Sequence, residues 1–310
     1  MRTLLRPSPA VLLIVACALW GGATVLNKAL LTSIPPVTLL VIQLASSAIA
    51  LWTVFFLGRG RSAPMSLILP LVLLGVLNPG ISYTLGLIGL SRSSASVSTL
   101  LWAAEPLMIL GLAAIFLREP MTGRLLSVML AGLMGVGLVV DAWRGVGGDH
   151  DAVGTLLLLS AVFCCAIYTV SSRKLSERVD ALFAVAVQQT AGLAWALALL
   201  FAQTAYGSPS DVPKLPLDLA AAASLSGLLY YAAAYWLYIA ALRWVPAAVA
   251  GSYFNVIPVF GVSFAFLFLG EKLSPVQWTG AAIILVSVFE LVRLTRAGGV
   301  EQPPDSSRRP

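Results

Sequence analysis

Charge is scarce in this chain of 310 residues: Asp, Glu, Lys and Arg together make up 10% of it, against about 25% in a soluble domain. With 59% hydrophobic residues and a mean hydropathy of +0.94, no aqueous fold could hide the apolar surface, and soluble classes are excluded. Histidine is nearly absent. The single His150 falls in a loop, no His-Glu-x-x-His pattern occurs, and no two carboxylates share a helix face inside an apolar stretch, so membrane-enzyme chemistry finds few tools here. Cysteine is limited to Cys17, Cys164 and Cys165, all inside apolar stretches and the last two adjacent. Neither a disulfide framework nor a metal site fits that spacing; they read as small packing residues, and no metal or cofactor is expected.

What the chain has instead is long apolar runs. A helix needs about 20 mostly apolar residues to cross the hydrocarbon. Ten such stretches occur, at roughly 10–32, 36–57, 66–90, 93–117, 121–140, 152–172, 180–204, 218–242, 245–269 and 275–295. Little remains for an extramembrane domain, so the expected fold is an all-α integral membrane protein of ten transmembrane helices. The first stretch resembles a signal peptide but runs past Lys28 without a small-residue cleavage site, and reads as a retained helix.

Lys and Arg fall unequally on the two sides, 14 on the N-terminal side against 5 opposite. That bias predicts a multi-pass protein of the plasma (inner) membrane with both termini cytoplasmic. It also accounts for the net charge of +6, since basic residues sit beside anionic headgroups; the lipid bilayer is the expected partner and nucleic acid is not.

An internal repeat organises the chain. A shift of 152 residues aligns 81–122 with 233–274 without a gap, pairing Tyr83 with Tyr235, Pro106 with Pro258 and Glu119 with Glu271 among ten identities. A second register, 145 residues, pairs Thr24 with Thr169, Gln43 with Gln188 and, by charge, Lys28 with Arg173. The predicted division is a five-helix repeat over 1–145, a second over 146–298 and a disordered cytoplasmic tail over 299–310. An odd number of spans forces the second repeat to cross in the opposite sense. Two such halves can close one end of a shared central cavity while opening the other, and interrupted helices at corresponding positions point to the binding site. Pro106 and Pro258 are such positions. Asn78-Pro79-Gly80 is a third, matched in register by Tyr230, Tyr231 and Ala232.

Glu105 is the one acidic residue near the middle of an apolar stretch, directly before Pro106. A carboxylate at bilayer depth is costly unless it meets water, a cation or a substrate. Two roles are open to it: exchanging a proton or contacting substrate in a cavity that alternately dries and floods, or closing the gap beside the proline. Tyr231, Tyr235 and Tyr238 recur at helical spacing, suited either to an amphipathic organic ligand or to helix packing. Trp102, Tyr83, Tyr253 and Asn255 share that pair of readings. Asn78 either bonds substrate or satisfies carbonyls freed by Pro79. Gln43 and Gln188 suit interhelical bonding more than ligand binding, and Trp20 beside Gly21 and Gly22 lines either a cavity or a close helix contact. Lys28, near the end of its span, either snorkels to headgroups or attracts an anionic substrate. Glu119 beside Arg118 and Glu271 beside Lys272 read as surface ion pairs or helix-end devices rather than gates. Ser127, Ala131 and Gly135 form a small-residue stripe that leaves a homodimer face open alongside packing within one chain.

These features together resemble the EamA type of the drug/metabolite transporter superfamily. The five-plus-five layout, Trp20-Gly21-Gly22 leading to Lys28, and the stretches from Glu105 to Glu119 and from Ile257 to Glu271 carry the resemblance over all but the tails. It implies ten helices around a cavity formed by the first, third, fourth, sixth, eighth and ninth spans, and transport of small metabolites, often amino acids, frequently with protons. Similar proteins often hold an arginine in the second span, where this chain has Gln43. The expected function is a secondary transporter of a small-molecule substrate, amino acid export foremost, working by alternating access with or without protons. A lipid or carrier-lipid flippase and a non-transporting scaffold are the competing classes.

Overall fold

The computed structural model describes residues 8–58, 62–116, 122–139, 151–176, 178–206, 215–242 and 253–297. They form ten helical spans. Here α1 is Pro9–Leu30, α2 Pro36–Leu57, α3 Met65–Ser91, α5 Gly123–Val139, α6 Ala152–Ser176, α7 Ala181–Tyr206 and α10 Pro275–Ala297. Four spans are built in pieces: α3 from Met65–Gly75, Val76–Ile81 and Ser82–Ser91, α4 from Ala95–Trp102 and Glu105–Phe116, α8 from Leu217–Gly227, Leu228–Ala233 and Ala234–Leu242, and α9, as far as it is described, from Tyr253–Val256 and Ile257–Leu269. Among the described residues seven helices are long and apolar enough to cross a membrane, and shorter apolar helices lie at Ala95–Ile109, Gly123–Val139 and Ile257–Leu269. The expected spans are thus present, while the tail over 299–310 lies outside the described residues.

Local chemistry sets the ends. Ser8 caps α1, its Oγ accepting from the Val11 amide at 3.3 Å, and Pro9 occupies the first turn, where a missing N–H costs nothing. Pro36 and Pro275 open α2 and α10 in the same way. Gly270 ends α9 with φ +67°, a left-handed turn that glycine adopts without a Cβ clash; it bends the chain so that the Glu271 amide reaches the Ala265 carbonyl at 3.2 Å.

The repeat recurs in the backbone itself. In α3 the segment Val76–Ile81 widens into a π-helical turn, with Asn78 off helical geometry at φ −145°, ψ 114°. In α8 the segment Leu228–Ala233 does the same, and Val76 to Leu228 and Ile81 to Ala233 are both separations of 152 residues. The second helices of the broken spans also begin in register, at Glu105 and Ile257.

Packing interleaves the two repeats. The first helix of each leaves its own half: α1 packs on α8 and α9, and α6 packs on α3 and α4. The pairs α2/α7 and α5/α10 are made of equivalent helices, one from each repeat. Large apolar side chains on these pairs, among them Phe56, Met134, Phe201 and Phe289, stay exposed where lipid would lie. Small residues let backbones close up in α5/α10, where a Cβ on Gly280 would stand 2.7 Å from the Gly135 carbonyl oxygen. Gly135, one end of the small-residue stripe, is therefore used inside the chain.

Gly280→Val is expected to destabilise the fold by about 1–3 kcal/mol through overpacking, read as a lower thermal midpoint in detergent. Gly137→Val, where nothing lies within 4 Å of a new Cβ, is the control and should stay within about 0.5 kcal/mol.

Candidate functional site

Ring contacts link the residues beside the helix breaks of α3, α4 and α8. After Trp102 the regular helix of α4 gives way to a turn at Ala103 and Ala104 and restarts at Glu105, so Pro106 sits in a first turn, where its absent N–H is tolerated. Pro258 stands equivalently in α9. Glu105 is half-buried; its Oε1 accepts from the Thr169 hydroxyl of α6 at 3.2 Å, and the Cys165 thiol of the same helix lies near it. The polar partners of the carboxylate thus come from the opposite repeat.

An aromatic cluster begins one turn earlier, at Trp102. Tyr83 stacks on Trp102 with centroids 5.7 Å apart and planes at 23°, and meets Tyr230 and Tyr231 edge-on at 5.6 Å and 5.1 Å. Trp20 meets Tyr235 edge-on at 5.3 Å and Tyr238 at 6.1 Å, while its indole N–H donates to the Tyr230 carbonyl at 3.1 Å. Such tilted and offset ring pairs are attractive beyond their area, at roughly 0.5–1.5 kcal/mol each. Tyr168, one residue before Thr169, donates to Gln188 Oε1 at 2.9 Å.

Beside the rings a buried amide network joins four helices. Gln43 Nε2 donates to Asn27 Oδ1 and to Ser226 Oγ, both at 2.7 Å. Gln189 accepts from the Ser47 hydroxyl and donates to the Tyr231 carbonyl at 2.9 Å. Gln43 and Gln188 both make the interhelical bonds their spacing suggested.

Of the residues singled out by sequence, Glu105, Trp102, Tyr83, Tyr231, Tyr235 and Trp20 come together in this centre. Tyr253 lies apart, packed with Leu13 and Tyr238 and accepting from the Cys17 thiol at 3.1 Å through its carbonyl. The side chain of Asn255 lies outside the described residues, as do Glu119, Arg118 and His150. Asn78 is buried on the α3 bulge with its Oδ1 unpartnered, and Pro79 beside it lies against Gly192 of α7. Lys28 is remote from the centre: its Nζ donates to the carbonyls of Leu90 and Ser91 at 3.0 Å and 3.3 Å, at the end of α3. Glu271 is a helix-end device for a helix other than its own, accepting from the first amides of α4.

Sequence reasoning missed Tyr230, Thr169 and Tyr168 as members of the centre and treated Cys165 as packing alone. Tyr230 had a signal, being the register partner of Asn78. Among the described residues no group of three His, Cys, Asp or Glu side chains could hold a metal ion.

An all-helical membrane protein of two interleaved repeats, with broken helices meeting at a central acid and aromatic cluster, has the form of a membrane transporter. The model of the EamA-like transporter family matches residues 8–141 and 152–293, and the chain belongs to that family. An uncharacterized transporter of Bacillus subtilis (strain 168), YvbV, is 25% identical over 298 residues, covering 93% of this chain and 92% of its own. A second, sll0355 of Synechocystis sp. (strain ATCC 27184 / PCC 6803 / Kazusa), is 26% identical over 295 residues, covering 87% and 86%. One solved crystal structure shares the fold with a TM-score of 0.62 at 18% identity, spanning 94% of this chain and 100% of the other.

Removing the Tyr83 ring, on which three others rest, is expected to cost about 3–5 kcal/mol, as for a buried aromatic deleted from a core. Tyr83→Phe retains that packing and should leave the thermal midpoint within a few degrees of the parent, so comparing the two variants by thermal denaturation separates ring from hydroxyl.

Proposed function

We propose that this transporter is a secondary carrier of small organic metabolites, amino acids foremost, that exports them across the plasma membrane by alternating access. The observation that carries the reading is the placement of Glu105: a half-buried carboxylate on the restart of a broken helix, held by Thr169 of the opposite repeat, one turn after Trp102, whose ring stacks on Tyr83 in a cluster with Tyr230. A carboxylate so placed can take the ammonium end of a substrate or a proton, and aromatic faces and hydroxyls suit the organic remainder. Proton linkage follows if the carboxyl is protonated on one side of the membrane and released on the other. The two halves, 1–145 and 146–298, act as the moving bodies, and both termini lie in the cytoplasm.

A lipid or carrier-lipid flippase would use a cationic headgroup site. Lys28, a basic residue near the end of an apolar span, is already engaged by two main-chain carbonyls, which favours the metabolite reading.

Counterflow uptake of a labelled amino acid and metabolite panel into proteoliposomes tests it. At least one compound should exchange, and Glu105→Gln should lower its rate about tenfold or more and flatten its dependence on pH. Exchange that keeps its rate and pH profile in Glu105→Gln removes the carboxylate from the mechanism, and a panel without any exchange directs attention to lipid substrates.

A further inference from the structure

We propose that Glu271 and Lys28 form a releasable latch that holds one end of the bundle shut, and that this end opens only when the Glu271 carboxylate leaves the amides of Ala95 and Ser96. The inference rests on the alternating-access reading above. It begins with a short loop, 92–94, between α3 and α4. On one side the Lys28 ammonium of α1 holds the last carbonyls of α3, at 3.0 Å from Leu90 and 3.3 Å from Ser91. On the other, the Glu271 carboxylate spans the start of α4: Oε1 accepts from the Ala95 amide at 2.8 Å, and Oε2 from the Ser96 amide at 2.8 Å and the Ser96 hydroxyl at 2.7 Å. Negative charge at a helix start and positive charge at a helix end both meet the favourable pole of the helix dipole. The two side chains also attract one another across the loop.

Helix formation does not require Glu271. α4 has its own cap, Ser94, whose Oγ accepts from the Val97 amide at 3.1 Å. The Glu271 bonds therefore serve the contact between repeats rather than the helix. They join the α9–α10 turn of the second repeat to α4 of the first, and the left-handed turn at Gly270 sets the carboxylate's approach. Beneath the latch, Val25 of α1, Ala95 of α4 and Ala265 of α9 close into a buried apolar plug with Phe264 and Leu269. Arg92 adds an exposed ion pair to Asp151 at 2.7 Å, just before α6. A slight burial raises the Asp151 carboxyl, but the Arg92 guanidinium and the amides of Val153 and Gly154 outweigh it and hold the group below the usual carboxylate range. That pair is present at neutral pH and is lost as the carboxyl protonates on acidification.

Every bond in the latch joins a charged side chain to a polar group at a helix end or in a turn. Such groups rehydrate when the end opens, so release does not strand a buried charge, whereas a carboxylate taken into the plug itself would be stranded. The bias of basic residues assigns this end to the outside of the membrane.

The test is reciprocal labelling in proteoliposomes. Ala265→Cys reports the plug from the Lys28 side. Met108→Cys, about one turn beyond Glu105 and half-buried, reports the opposite side. A membrane-impermeant maleimide is applied to each side, and peptide mass spectrometry distinguishes the probes from native thiols. Glu271→Gln should raise labelling at 265 about tenfold and lower labelling at 108, because hydrogen bonds to a charged group are lost only from the closed state. Ser94→Ala, which weakens the α4 cap but leaves the latch, should change neither. An unchanged rate at 265, or a rise at 265 without a fall at 108, overturns the latch; the second pattern is local fraying. If Glu271→Gln does not fold, Gly270→Ala, which keeps the carboxylate but moves its approach, must give the same reciprocal shift. Absence of counterflow for every metabolite would sink the carrier reading while reciprocal labelling still stood. Counterflow without reciprocity would sink the latch alone.

Discussion

A broken helix inside a membrane leaves amides and carbonyls that lipid cannot satisfy, and the organisation of this protein follows from how those groups are answered. The α8 bulge frees the Tyr230 and Tyr231 carbonyls, and each meets one donor from another helix, Trp20 Nε1 of α1 and Gln189 Nε2 of α7. Ser82 of α3 donates to the Ala161 carbonyl of α6 at 3.0 Å, and Lys28 of α1 answers the end of α3. The interruptions that shape the centre are thus bound by side chains of other spans, and they cannot be rearranged without disturbing those neighbours.

The same bonds explain why the first helix of each repeat crosses into the other half. α1 supplies Trp20 to the bulge of α8, and α6 supplies Thr169 to the acid on α4. Each repeat therefore completes the polar site of its partner. In a carrier of the proposed kind, motion of one half carries part of the other half's site with it, which couples the state of the centre to the state of the ends.

Much of the frame was legible in the chain because the solvent is lipid: long apolar runs leave one secondary structure open to them, and prolines mark the breaks at Asn78-Pro79 and Glu105-Pro106. The α8 bulge was not. Leu228–Ala233 contains neither proline nor glycine, and its geometry is known from sequence only through its register with α3. The place of Thr169, Tyr168 and Cys165 in the centre was not legible because α6 is unbroken, so nothing local separates a lining residue from a packing one. Lys28 and Glu271 were visible as charges, but their targets are main-chain groups, which carry no signature in the letters. Glu105 was legible because a lone acid in hydrocarbon has few inexpensive explanations.

Two identical repeats in a carrier of the proposed kind would give two equivalent end states, one the counterpart of the other in energy as in shape. The restart of α4 carries Glu105 and the restart of α9 carries Ile257, so the frame is duplicated but its charge is not. In a carrier of the proposed kind that difference lifts the degeneracy symmetry would impose: Glu105 weights one state against the other alongside the bonds at the ends, and a substitution there would tune the bias of the cycle without altering its architecture.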